Sequence, residues 1–131
     1  MNKEHTKELL KDFPSLYKQY KLPPRETCMC WGFDCKDGWF NIIHDLSQKI
    51  VLTDPECEAT QVKQKGGGLR FYVTPTKKEV HDLIRKAEEK SFNICEVCGN
   101  KGKLRLDLGW IQTLCNKHYK QNNNKRADIN E

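Results

Sequence analysis

The feature that most narrows what this chain can fold into is a spacing. Cys95-x-x-Cys98 is followed, after sixteen intervening residues, by Cys115-x-x-His118. Two residues between ligands let a single chain reversal aim both side chains at one point. Thiolates with imidazole also form a tetrahedral donor set well suited to zinc. Two such pairs predict a Zn2+ site closing a small C-terminal module. The intervening segment fits that purpose: Lys103 to Leu108 alternates polar with apolar, Gly109 permits a turn, and Trp110 to Leu114 reads as a return strand.

The order of knuckle, hairpin and short helix resembles a treble-clef zinc finger, with "CEVCG" as knuckle and "LCNKH" opening the helix. Four protein ligands saturate a tetrahedral ion and leave no position for a reacting water, so the metal is expected to be structural. Nuclease versions of this finger carry further histidines, whereas here the others are His5, His44 and His81, far away in sequence. Redox chemistry at Cys95-x-x-Cys98 needs a thioredoxin-like strand-to-helix setting that the pattern lacks. His44-Asp45 and His81-Asp82 are adjacent pairs on expected helices and point in different directions, so they read as surface polar residues. The expectation is a protein that is not an enzyme.

Three more cysteines, Cys28, Cys30 and Cys35, fall within eight residues, and His44 or Cys57 could complete a second tetrahedron. The alternative is that Cys35 is a small buried hydrophobe beside Trp39, with Cys28 and Cys30 as free thiols in a turn. The opening "MNKEHTKELLKDF" holds no apolar run that would serve as a signal peptide, and no segment is long enough to cross a membrane. A reducing cytoplasmic setting is therefore expected, where clustered thiols bind metal more readily than they form structural disulfides.

Only 37% of the 131 residues are hydrophobic, which favours a modest core aided by a metal staple. The expected fold class is α+β. Residues 1–27 read as a helical arm in which Leu9, Leu10 and Phe13 face inward, Pro14 stops the helix, and Leu16, Tyr17 and Tyr20 pack on the main domain. Residues 28–92 form a helix, hairpin and helix body. Its first helix carries an apolar stripe of Trp39, Ile42, Ile43, Leu46 and Ile50, with Asp37 as candidate cap. Gly66-Gly67-Gly68 turns a hairpin whose second strand puts Leu69, Phe71 and Val73 inward and Arg70 and Tyr72 outward. Thr76 and Glu79 suggest a capping box before the stripe Val80, Leu83, Ile84 and Ala87. Residues 93–120 are the zinc-finger module, with Trp110 covering the metal, and the polar stretch 121–131 is expected to be disordered.

The net charge is +5 and unevenly spread. Residues 28–59 carry two basic against six acidic side chains, residues 60–90 eight against four, and residues 95–120 five against two. Lys63, Lys65, Arg70, Tyr72, Lys103 and Arg105 are therefore the candidate nucleic-acid surface: cations for phosphates and a ring for an unpaired base. Lys101 and Lys117 would join it if all these residues converge. The acidic stretch beside a basic half equally suits orientation on a protein partner, with Trp31, Phe33 and Trp110 as anchors if exposed.

Three segments, "CKDGWFNII", "QVKQKGGGLRFYV" and "AEEKSFNICEVCG" with "TLCNKH", together resemble a group of small proteins common in phages and prophages. The resemblance spans roughly residues 33 to 119. That group more often has phenylalanine before the glycines, where this chain has Gly66, which implies a looser hairpin. The resemblance implies a zinc finger joined to a helix-and-hairpin body, acting either as a nucleic-acid-binding accessory protein or as a phage factor that inhibits a host protein. Residues and resemblance together favour nucleic acid.

Overall fold

In the computed structural model, Asn2 starts the first helix: its side-chain oxygen accepts the His5 backbone N–H at 2.8 Å, and α1 runs over Lys3–Asp12. The structure describes the backbone of residues 1–130 and the side chains of residues 1–123. The expected arm is an integral part of the fold. Leu9, Phe13, Leu16 and Tyr17 are buried in the same apolar cluster as the body, and Leu10 and Tyr20 are half-buried. Two imidazole–carboxylate pairs fasten the edges of α1. His5 Nδ1 lies 2.9 Å from Asp37 Oδ1, and His44 Nε2 lies 2.9 Å from Asp12 Oδ2.

A short strand, β1 (Phe33–Asp34), runs parallel to β2 (Ala59–Lys65), with Phe33 opposite Val62. At two residues it offers no periodicity for sequence to reveal. Between them the chain makes a 3-10 turn over Asp37–Trp39 and then α2 (Phe40–Thr53). The whole stripe of Trp39, Ile42, Ile43, Leu46 and Ile50 is buried, each residue contributing about 1.5–3 kcal/mol of transfer free energy. Asp37 does not cap this helix. Its carboxylate is taken by the Asn2 backbone N–H at 2.8 Å and by His5, while Trp39 holds the cap position with no side-chain bond.

β2 returns as β3 (Gly68–Val73) through Gly66 and Gly67, both at positive φ (60° and 84°). Two left-handed residues make the mirror-image turn whose twist matches paired strands, and glycine adopts it without strain. Leu69 and Phe71 face the core and Val73 is half-buried, as the alternation predicts. α3 (Lys78–Ser91) lies along the outer edge of β3 and satisfies its backbone donors: Leu69 N–H to Ser91 Oγ at 2.9 Å and Phe71 N–H to Glu88 Oε2 at 3.0 Å. The edge is thereby closed to pairing with another chain. The capping box is absent, because Thr76 donates its hydroxyl to Asp54 and Lys77 sits at the cap.

The last three elements are β4 (Lys103–Arg105), β5 (Gln112–Leu114) and α4 (Asn116–Asn130). The expected disorder from residue 121 is replaced by helix as far as Asn130, and residue 131 lies outside the described residues. Once the first turn at Asn116 has formed, each further residue adds a hydrogen bond at little cost.

Candidate metal centre

The knuckle is shaped by its own backbone. Cys95 N–H donates to Asn100 O at 2.7 Å, Gly99 N–H donates to Cys95 O at 2.9 Å, and Gly99 takes φ 83°. That reversal points Cys95 and Cys98 the same way. Cys115 follows β5, and His118 lies three residues on in the first turn of α4, so both project from one side of the helix start.

The four donor atoms lie within 4.8 Å of one another. Cys98 Sγ is 3.8 Å from Cys115 Sγ, and His118 Nδ1 is 3.6 Å from Cys95 Sγ and 3.2 Å from Cys115 Sγ. A tetrahedral ion at ordinary zinc–sulfur and zinc–nitrogen lengths needs ligand edges of about 3.5–3.8 Å. The donor set and its spacing therefore fit a metal ion. Cys95 is buried, Cys115 and His118 half-buried and Cys98 exposed, which places the centre at the surface of the module.

Thiolate character is uneven across the cluster. Partial burial opposes ionisation of Cys115, but the backbone N–H and ring of His118, helped by the Cys98 and Cys95 thiols, bring it down to about 6. Cys98 is pushed up, by burial first and then by its neighbouring thiols. A metal ion would take up that mutual repulsion by binding all three sulfurs as thiolates.

Around the ligands is a polar frame that sequence reasoning missed. Glu96, between the two knuckle cysteines, is buried and accepts the Lys36 backbone N–H at 3.0 Å and the Gln112 side chain at 3.1 Å. Its own backbone carbonyl accepts Gly38 N–H at 2.7 Å. A side chain at Gly38 would place its Cβ 2.1 Å from Cys95 O, so only glycine permits this approach. At the other side of the module, Thr113 Oγ1 donates to Gly67 O at 2.7 Å, and a Cβ on Gly67 would meet Leu104 at 2.4 Å. A lone acid inside a cysteine knuckle was the one available signal of this docking.

The second candidate metal site is not assembled. Among the described residues, the C-terminal four are the one grouping of three or more potential ligands. Cys28 is exposed, and Cys30 donates to Thr27 O at 3.4 Å. Cys35 is buried, its thiol pushed to about 12 by burial and the nearby Glu96 charge. Cys57 is buried, its thiol raised first by burial, and His44 is committed to Asp12. The elements that carry these residues face different neighbours, which close spacing in sequence could not reveal.

The candidate nucleic-acid residues divide into two groups. In the β2–β3 register Lys63 lies opposite Arg70, Gln61 opposite Tyr72 and Lys65 opposite Gly68, so Lys63, Lys65, Arg70 and Tyr72 share the sheet face away from the core. Tyr72 is exposed on that face. Arg105 is instead built into the module: its guanidinium donates to Leu114 O at 3.2 Å and Asn116 Oδ1 at 2.9 Å and lies 4.3 Å over the Tyr119 ring. Lys103 shares its strand face with Arg105, opposite the side on which Leu104 meets the hairpin tip. The basic side chains therefore do not all converge. Of the expected aromatic anchors, Phe33 is buried, whereas Trp31 and Trp110 are exposed, Trp110 beside a pocket that it shares with His118.

The fold and site define an α+β protein with a treble-clef-like C-terminal Cys3His cluster able to hold a metal ion. No protein family, curated protein or solved structure matches the chain. Among the described residues no helix is long and apolar enough to cross a membrane.

Proposed function

We propose that the Cys95, Cys98, Cys115 and His118 cluster binds zinc as a structural ion, and that the protein is a non-catalytic nucleic-acid-binding module working through the outer face of its β2–β3 hairpin. The observation that carries this reading is the register that puts Lys63, Lys65, Arg70 and Tyr72 on one face. Three cations spaced along a sheet suit successive phosphates, and an exposed tyrosine among them suits stacking with an unpaired base. Zinc is supported by the donor set, and a structural role by four protein ligands that fill a tetrahedron. Lys103 and Arg105 are left out of the surface.

The test is binding of the zinc-loaded chain to labelled single- and double-stranded DNA and RNA across a salt series. With about three phosphates neutralised, log affinity should fall against log salt with a slope of roughly −2 to −3. The double variant Arg70→Gln, Tyr72→Ala should bind single strands about tenfold or more weakly at unchanged melting temperature. Unchanged affinity would remove the hairpin face from the function.

A second reading is favoured by a separate observation. Leu104, Leu106, Trp110 and Ile111 are all exposed on the β4–β5 hairpin, more apolar surface than a small module needs to leave in water. A phage factor that docks on a host protein would use such a patch. Nucleic-acid binding that fails at low salt, with capture of a protein lost in Trp110→Ala, would replace the first reading with this one.

A further inference from the structure

Trp31 is 70% exposed, yet its backbone is tied down. It ends a 3-10 turn over Met29–Trp31 in which Met29 is fully buried, and Gly32 N–H closes the turn on Met29 O at 2.9 Å. An indole held outward on an anchored turn is a preorganised flat surface rather than the tip of a loose loop.

Beside it lies a cavity of about 550 Å³, lined by Lys3, Thr6, Lys7, Leu10, Tyr20 and Trp31 among others. That volume is within the range of small-ligand sites, about 300–1,000 Å³. Lys3 and Lys7 are one helical turn apart on α1, with Thr6 between them, on the side of the helix that does not carry the His5 and Asp12 fastenings. Neither lysine takes part in an ion pair among the described residues, and no carboxylate lines the cavity. The site thus offers one exposed ring, two unpaired cations and a hydroxyl over an apolar floor. A ligand complementary to it has a planar aromatic part joined to an anion.

We propose that this cavity binds a nucleoside phosphate, with the base lying on Trp31 and the phosphate held between Lys3 and Lys7. The site shares no residue with the hairpin face, so it stands or falls separately from the nucleic-acid reading. Ring-on-indole contact supplies the base affinity without sequence preference, and two ammonium groups supply charge-assisted hydrogen bonds.

The experiment uses the 15N-labelled, metal-loaded full chain, titrated at low salt with the monophosphates of adenosine, guanosine, cytidine and uridine, and in separate arms with guanosine and inorganic phosphate. The three indole N–H signals report separately: Trp39 donates to Ile94 O, Trp110 donates to Gln112, and Trp31 faces the cavity. The monophosphates should move the Trp31 signal saturably and leave that of Trp39 in place. Lys3→Gln with Lys7→Gln should weaken the affinity about tenfold or more, and Arg70→Gln with Tyr72→Ala should leave it unchanged. Guanosine and inorganic phosphate should each bind more weakly than guanosine monophosphate. Because Lys3 and Lys7 are both exposed, the lysine variant should melt with the parent. A Trp31 signal that stays still at millimolar nucleotide, an affinity unaffected by the lysine changes, or inorganic phosphate binding as tightly as nucleotide would each overturn the proposal.

Discussion

The body and the C-terminal module are held together by different means. In the body, twenty buried hydrophobic residues from α1, α2, the β1–β3 sheet, α3 and the intervening turns form one cluster. The buried cluster of the module contains Cys95, Leu108 and Leu114. Three side chains cannot offset the conformational entropy of ordering some twenty-five residues, at about 1–2 kcal/mol for each backbone unit. Burial alone can therefore account for the body, whereas the module needs further ties: polar bonds to its neighbour supply some of them, and an ion held by the Cys3His cluster would add another.

That contrast is most directly broken at the ligands. Chelating the metal, or replacing Cys98 with serine, should unfold residues 93–120 and leave the body folded, since binding to such sites contributes about 10 kcal/mol or more to the folded form. Limited proteolysis would check it: cleavage confined to the module is the expected pattern, and a chelated chain that resists protease throughout would show that the metal is dispensable. Ile43→Ala should do the reverse. It opens a cavity in the fully buried stripe of the body and should cost about 2–5 kcal/mol in a denaturant melt of the metal-loaded protein.

Glu96→Ala tests the joint between the two. It strands the Lys36 N–H and the Gln112 amide and should cost about 1–3 kcal/mol while leaving metal stoichiometry intact. Two separate melting transitions, in place of one, would show that this carboxylate couples the units. The smallest effect concerns the way α1 is fastened. Burial opposes ionisation of Asp37, but the Asn2 N–H and His5 hold its carboxyl below the ordinary 3.8. It is thus more acidic folded than unfolded. Its stabilisation is complete above the ordinary value and is lost as pH falls through the lower folded one. Asp37→Asn should lower the neutral plateau of the stability–pH curve slightly and leave its acid end in place, so that the curve is flatter on the acid side in denaturant melts across pH.

The parts of this fold written in periodic or spaced residues were legible from sequence. The stripe from Trp39 to Ile50, the alternation of Leu69 and Phe71, and the clustering of Cys95, Cys98, Cys115 and His118 all stand where the pattern puts them. What escaped were choices between near-equivalent polar partners. Asp37 and Thr76 have the right chemistry for helix caps, but Asn2 with His5, and Asp54, offered them bonds from distant parts of the chain. Arg105 looked like a surface cation until Leu114 O, Asn116 and Tyr119 were brought beside it. The cysteines of residues 28–57 show the same limit from the other side, since proximity in sequence did not become proximity in space. Local pattern encodes which face is buried, and only the tertiary arrangement decides which polar group answers which.

The tip of the β2–β3 hairpin has a consequence for how this protein can vary. Turns are ordinarily where lineages insert and delete residues freely. Here the tip accepts the Thr113 hydroxyl at Gly67 O, and a side chain at Gly67 would be strained by its positive φ and would have to displace Leu104. Its length is constrained from both ends, by the strands that enter it and by the C-terminal module that rests on it. It behaves as a mortise in a joint, so changes of shape between related chains should collect elsewhere, in the segment leading to the Met29–Trp31 turn and at the far end of α4.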